Sequence, residues 1–252
     1  MTKFIGIIPA RYASTRFPAK PLALLGGKPV IQHVWEQVKK VLDTVIVATD
    51  DERILSAVEA FGGKAVMTST SHRSGTDRCY EAYMNNGGDE DVVINIQGDE
   101  PFIDPSQLEA IMKCFDGADT DIATLIRPFD PELTYSALDN PNVVKVVVDA
   151  NFRARYFSRS VIPYMRGEER EKWPTMIQYY THIGLYAYRV NVLKQITQLP
   201  QSKMELAESL EQLRWLENGY NIQTAISRVT TIGIDTPADL ERAEQYLKTI
   251  TQ

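Results

Sequence analysis

Apolar residues in the first half of the chain fall into short β-branched runs separated by longer stretches with helical spacing. Phe4–Ile8 predicts a buried strand, Val45–Ala48 a second, Ala65–Met67 a short third and Val92–Ile96 a fourth. Val30–Val38, Asp51–Phe61, Thr76–Met84 and Gln107–Phe115 read as helices, with Gly62-Gly63 and Asn86-Gly87-Gly88 as stops. Strands covered on both faces are continuously apolar rather than alternating, so this β-α-β-α order predicts a parallel sheet with helices on both sides.

The pattern changes beyond residue 120. Ile122–Ile126, Val143–Val148, Ala154–Phe157 and Ile183–Tyr188 are strand-like without long helices between them, which predicts an antiparallel or mixed addition to the sheet. Leu206, Leu210 and Leu213 then predict one face of a helix, Ile222–Ile226 a strand, and Pro237 the start of a last helix capped by Thr236. Gly167–Lys172 is charged enough to be an exposed loop. The simplest organisation is one domain over residues 1–252, with a strand-rich sub-region around 143–190.

Composition narrows the classes. The chain has 252 residues and a net charge of -6, and no segment carries a dense Lys/Arg run, which disfavours nucleic acid as a partner. No apolar run approaches the roughly 20 residues that span a bilayer. The start of the chain has too short an apolar run for an export signal, so the cytoplasm is the expected location. Cys79 and Cys114 belong to no CxxC or zinc-spaced cluster and read as reduced thiols.

The first candidate chemistry follows the first strand. Arg11, Arg16 and Lys20 lie in a loop of small and hydroxyl residues stiffened by Pro9, Pro18 and Pro21. In open α/β sheets ligands bind beyond the carboxyl ends of the strands, and three cations there match a triphosphate. The loop has neither GxxxxGK[ST] nor GxGxxG, and its spacing alone leaves an ordinary solvated basic loop equally open. Asp99 follows the fourth strand and Asp235 precedes Thr236-Pro237. Both suit a divalent cation, and both also suit turn or capping roles.

The string Arg11-Tyr-Ala-Ser-Thr-Arg16-Phe-Pro-Ala-Lys20-Pro21-Leu resembles the signature loop of the sugar nucleotidyltransferases. Six further blocks keep that family's order and spacing: Ser74-Gly-Thr-Asp-Arg78, Gln97-Gly-Asp-Glu-Pro101, Tyr156-Phe-Ser-Arg159, His182-Ile-Gly-Leu-Tyr186, Leu210-Glu-Gln-Leu-Arg214 and Gly233-Ile-Asp-Thr-Pro237. The resemblance implies a Rossmann-like three-layer α/β/α nucleotidyltransferase fold with a mostly parallel sheet, and a homodimer. It implies CMP transfer from CTP to the anomeric hydroxyl of 3-deoxy-D-manno-octulosonate, for lipopolysaccharide biosynthesis. Arg11, Lys20, Asp99 and Asp235 become catalytic, with Mg²⁺ on Asp99 and Asp235. Pro9, Ala10, Arg11, Arg16, Lys20, Ser74, Gly75, Arg78, Gln97 and Asp99 become nucleotide-binding. Gln97, Arg159, His182, Tyr186, Glu211 and Gln212 become sugar-binding. The residues themselves add that His182 and Tyr186, four apart in a strand, share a face. They also put Glu211 and Gln212 on the polar side of the predicted helix. Ala19 departs from the family, which often has Gly there, and is tolerated unless that position needs a positive φ. His33 and His72 read as structural histidines, and Trp35, Trp173 and Trp215 as packing residues. Another ulosonic acid (8-amino or sialic-type) and a catalytically idle nucleotide-binding protein remain alternatives.

Overall fold

The four predicted β-branched runs of the N-terminal half form parallel strands, ordered Val92–Asn95, Phe4–Ala10, Thr44–Thr49 and Lys64–Met67. A computed structural model describes residues 2–13, 16–72, 74–117 and 119–250. Ser14 and Thr15 of the basic loop, and Arg73, lie outside the described residues. The chain divides into two compact units. One holds the residues up to Glu109 together with those from Thr230 onward; the other is Ala110–Val229. The strand-rich stretch 143–190 lies wholly within the second.

In the first unit Phe4–Ala10 is the central strand, and Ile5, Ile7 and Ile8 are fully buried. Gly6 faces Leu42 and Val38, beside the helix Val30–Val38, while Pro9 packs against Gly75 of the helix Gly75–Asn86. Positions 6 and 9 point to opposite sides of a strand, so both faces are covered, as the continuous apolar runs require. Parallel strands put every carboxyl end on one edge. The segments leaving Ala10, Thr49, Met67 and Asn95 therefore emerge together.

Side-chain caps start the helices there. Asp51 accepts from Arg53 N at 3.0 Å and so precedes the helix Glu52–Ala60 rather than beginning it. Ser74 accepts from Asp77 N at 3.1 Å. Thr236 caps Pro237–Ile250 as expected, accepting from Asp239 N at 3.3 Å while the Asp239 carboxylate accepts from Thr236 N at 2.8 Å. That last helix packs Ala243 against Leu25, Val30 and Ile234, with Phe17, Ile232 and Leu240 at the margin.

The second unit is mixed, as predicted. Ile222–Ile226 runs parallel to Ile122–Pro128, which pairs antiparallel with the ten-residue strand Tyr180–Arg189. Lys145–Val148 joins that strand at Tyr180 and Thr181 and pairs antiparallel with Ala154–Ser158. The segment 167–172 is exposed. The expected helix through Leu206, Leu210 and Leu213 is instead two, Lys203–Glu208 and Gln212–Glu217. Ser209 takes the left-handed conformation at φ 52 and ends the first one. Consequently Leu206 is 60% exposed while Leu210 and Leu213 are buried. Among the described residues no helix is long and apolar enough to cross a membrane.

Lys145 is fully buried and its ammonium donates to the backbone carbonyls of Arg159 at 2.5 Å and Asn140 at 3.1 Å. Burial lowers its pKa. Lys145→Ala removes both hydrogen bonds and leaves a cavity, and should cost about 3 kcal/mol. The expected readout is a lower urea midpoint at unchanged slope; an unchanged midpoint would contradict this role.

Candidate active site

The carboxyl edge of the first unit's sheet surrounds an open cavity of about 380 Å³. Pro9, Ala10, Arg11, Arg16, Lys20, Ser74, Gly75, Arg78, Gln97, Asp99 and Asp235 all line it, so the structure brings together every residue expected at the nucleotide or metal. Ala13, Pro21 and Gly98 line it as well.

Its centre is a lysine between two carboxylates. Lys20 Nζ lies 2.5 Å from Asp99 Oδ2 and 3.2 Å from Asp235 Oδ1, and Arg16 Nη2 lies 3.1 Å from the same Asp235 oxygen. The Lys20 side chain is only 13% exposed. Asp99 and Asp235 meet because Ile234 N donates to the Asp99 carbonyl at 2.8 Å, and because Ile234 is buried in the cluster that anchors the last helix. Asp239 then fixes the next turn. Its carboxylate accepts from Asp235 N and Thr236 N, and the Thr236 bonds, followed by Arg242, hold its pKa at about 2. Gly98 is needed for the close approach on the other side, since a Cβ there would stand 2.7 Å from the Pro9 carbonyl oxygen. Burial, then the Asp99 charge, pushes Glu100 up to about 7.

Asp99 and Asp235 share one ammonium, so they are close enough to share one hard cation. Among the described residues no group of three or more His, Cys, Asp or Glu could hold a metal. Two carboxylates suit Mg²⁺, which keeps waters and phosphate oxygens as its other ligands.

The opposite wall is built by the helix Gly75–Asn86. Ser74 and Gly75 stand at its N-terminus, where free N–H groups favour an anion or ribose oxygen. Arg78 is 1% exposed, and its guanidinium donates to Thr68 Oγ1 at 2.6 Å and Asp50 Oδ2 at 2.7 Å. It lines the cavity with those donors already committed, and so acts as a strut between the helix and two strand ends.

The second unit holds the expected sugar-acid residues other than Gln97. His182 and Tyr186 share a face as predicted, with ring centroids 5.2 Å apart. The strand shifts register between Ile183 and Tyr186, but the bulge inserts two residues and so preserves the side. The Thr124 hydroxyl lies 2.8 Å from the Leu185 carbonyl and 3.0 Å from His182 Nε2. Its single proton goes to the carbonyl. His182 Nε2–H is therefore the donor to Thr124, and Nδ1 is the ring's acceptor. Burial holds His182 at about pKa 4 and raises Tyr186 well above its ordinary value, with the Glu211 charge adding to the latter.

One expectation is corrected. Gln212 is not on a polar surface: it is 4% exposed, and among the described residues its buried Nε2 has no hydrogen-bond partner. Glu211 precedes the second short helix and is held by Arg214 Nη2 at 2.9 Å, with Arg214 also paired to the buried Glu205 at 3.1 Å. The Arg159 guanidinium donates to the carbonyls of Glu208, Pro141 and Ser209. Thr124, Arg214 and Lys145 were not expected in these roles. Only Arg214 carried a sequence signal, its i,i+3 spacing from Glu211.

Comparison with known proteins gives one consistent picture. The cytidylyltransferase family model matches residues 5–225. A 3-deoxy-manno-octulosonate cytidylyltransferase of Phocaeicola vulgatus is 68% identical over 98% of each chain, and one of Bacteroides thetaiotaomicron is 65% identical over the same shares. A solved structure of CMP:2-keto-3-deoxy-manno-octonic acid synthetase complexed with CTP is 43% identical, with a TM-score of 0.90, covering 99% of this chain and 100% of that one. The fold is thus the mixed α/β, mostly parallel, Rossmann-like one expected.

Two outcomes follow from local geometry. Ala19 sits at φ 59, ψ 18, donating N–H to the Tyr12 carbonyl at 2.9 Å, so the position does need a positive φ. Ala19→Gly relieves about 1 kcal/mol of backbone strain, offset by the greater freedom of glycine in the unfolded chain. A thermal melt should rise slightly or stay level; a clear fall would show that Ala19 is not strained. His182 has a folded pKa near 4, below the value near 6.5 expected unfolded. Its stabilising contribution is complete above about pH 6.5 and is lost as pH falls toward about 4. The urea-unfolding free energy should decline through that window in the wild type and decline less in His182→Gln.

Proposed function

The chain belongs to the cytidylyltransferase family, and on that premise we propose that it transfers CMP from CTP to the anomeric hydroxyl of 3-deoxy-manno-octulosonate, releasing pyrophosphate. The observation that carries the reading is Lys20 bridging Asp99 and Asp235 inside a cavity lined by Arg11, Arg16 and the Ser74–Gly75 helix start.

In the reaction the sugar's anomeric oxygen forms a bond to the α-phosphorus in line with the α–β bridging oxygen. The bond between the α-phosphorus and that bridging oxygen breaks, pyrophosphate leaves with its electron pair, and the hydroxyl proton passes to water. Positioning and charge carry such transfers. Arg11, Arg16 and Lys20 neutralise the triphosphate and the charge that grows on the departing pyrophosphate. Lys20, the least exposed of the three, does so from the position best shielded from water. When bound on Asp99 and Asp235, Mg²⁺ supplies further neutralisation at the α-phosphate and acidifies the sugar hydroxyl. Pro9, Ala10, Ser74, Gly75 and Gln97 border the nucleoside, with Arg78 bracing their wall.

For the sugar acid, His182 Nδ1 accepts from a hydroxyl, and the buried Gln212 Nε2 donates to one. Tyr186 and Glu211 add further partners, and Arg159 contributes its charge near the carboxylate. A homodimer formed through residues 143–190 completes the reading. The apolar exposure of Tyr164 and Met176 beside the buried Trp173 supports that surface. A cytoplasmic location and a place in lipopolysaccharide biosynthesis fit the proposed product.

The test is a pyrophosphate-release panel crossing CTP, UTP, dTTP and ATP with several ulosonic acids and sugar phosphates. Release confined to CTP with 3-deoxy-manno-octulosonate supports the reading; preference for a sugar phosphate, or none with any acid, overturns it. Asp99→Asn and Asp235→Asn should each reduce Mg²⁺-dependent release at least a hundredfold, on the order of 3 kcal/mol, with unchanged circular dichroism. Near-normal turnover in either removes the metal assignment.

A further inference from the structure

Both walls of the cavity are held from one place, the Asp50-Asp51 pair that follows the strand Thr44–Thr49. Asp50 grips Arg78 of the helix wall at 2.7 Å. Asp51 grips Arg53 along the guanidinium edge, accepting from Nε at 2.8 Å and Nη2 at 2.6 Å, while also capping its helix. The face of that guanidinium lies 3.3 Å from the centroid of the Tyr12 ring. Tyr12 stands between Arg11 and Arg16, and its carbonyl accepts from Ala19 N, closing the base of the loop that presents the cations. Neither Tyr12 nor Arg53 is among the residues lining the cavity.

We propose that the Tyr12–Arg53–Asp51 stack is a latch that fixes Tyr12 at the base of the phosphate loop, beside the cations that grip a triphosphate. Tyr12 and Arg53 are then positioning residues for nucleotidyl transfer. This rests on the function proposed above. The planar guanidinium is fixed by the carboxylate along its edge and covered by the ring on its face. A lysine offers neither the fork nor the stacking plane. Without the latch, Tyr12 and the Ala19 bond it carries would have to be fixed at the moment the nucleotide binds, and affinity would fall by that entropy.

The variants Tyr12→Phe, Tyr12→Leu, Arg53→Lys, Arg53→Ala and the Tyr12→Leu/Arg53→Ala double are assayed for pyrophosphate release with CTP and 3-deoxy-manno-octulosonate. The latch predicts Tyr12→Phe near wild type. It predicts KM for CTP raised about fivefold in Tyr12→Leu, Arg53→Lys and Arg53→Ala, with KM for the sugar acid unchanged. The double variant should be no worse than the worse single one. If Arg53→Ala is impaired while Tyr12→Leu is not, Arg53 acts as a distant charge and the latch is wrong; additive losses also overturn it. The rate of trypsin cleavage after Arg11 and Arg16 gives a readout independent of activity. It should rise in Tyr12→Leu and Arg53→Ala but not in Tyr12→Phe, at unchanged melting temperature. Equal cleavage rates sink the latch even if CTP is not the substrate, whereas an inactive wild type with faster-cleaved variants sinks only the function.

Discussion

The site depends on one ammonium shared by two carboxylates. Asp99 and Asp235 repel one another, and Lys20 offsets that repulsion from a pocket where its side chain is 13% exposed. The three residues lie far apart in the chain, 79 and 215 positions from Lys20. Much of the first unit serves their meeting. Parallel strands bring the loops to one edge, and Gly98 lets the Asp99 turn approach Pro9. The Ile234–Asp99 backbone bond ties the second carboxylate to the first. Packing of Ile234 and Ala243, with the Thr236–Asp239 cap, fixes the helix that follows Asp235. A triphosphate with its metal would find a charge pattern already assembled, which is where most catalysis of phosphoryl transfer originates.

A second theme is the use of buried cations as struts. Arg78, Arg214 and Lys145 are each less than a tenth exposed, and each is paired with carboxylates, hydroxyls or backbone carbonyls. A buried charge is costly unless it is paired, so each one fixes the groups around it. Arg78 sets the helix wall of the cavity, Arg214 orients Glu211, and Lys145 holds the backbone of Arg159. More exposed cations, Arg11 and Arg16, line the cavity. Arg159 lies between these classes, because its donors are committed while its charge persists.

The sequence disclosed a good deal of this, for identifiable reasons. Phe4–Ile8 and Val92–Ile96 were legible because a strand buried on both faces has no polar alternation to confuse. Thr236 and Pro237 announced the last helix through local cap chemistry. The basic loop was ambiguous by spacing and became specific through its whole string and the blocks downstream. What stayed hidden was set by tertiary geometry. Nothing local says that Ile234 will bond Asp99 or that Arg78 will be buried against Asp50. The helix predicted through Leu206 failed because Ser209 adopts a left-handed conformation that its residue type does not advertise. That break accompanies the burial of Gln212. Ala19 shows the limit most clearly: the departure from glycine was visible, but the φ of 59 that gives it meaning was not.

The central claim is that Asp99 and Asp235 act on one divalent cation together with the nucleotide. Electron paramagnetic resonance titration of Mn²⁺, standing in for Mg²⁺, measures this directly on the full chain with CTP present. The account predicts that Asp99→Asn and Asp235→Asn each weaken CTP-dependent Mn²⁺ binding by at least about tenfold, or about 1.4 kcal/mol. Wild-type Mn²⁺ affinity in either variant would contradict it.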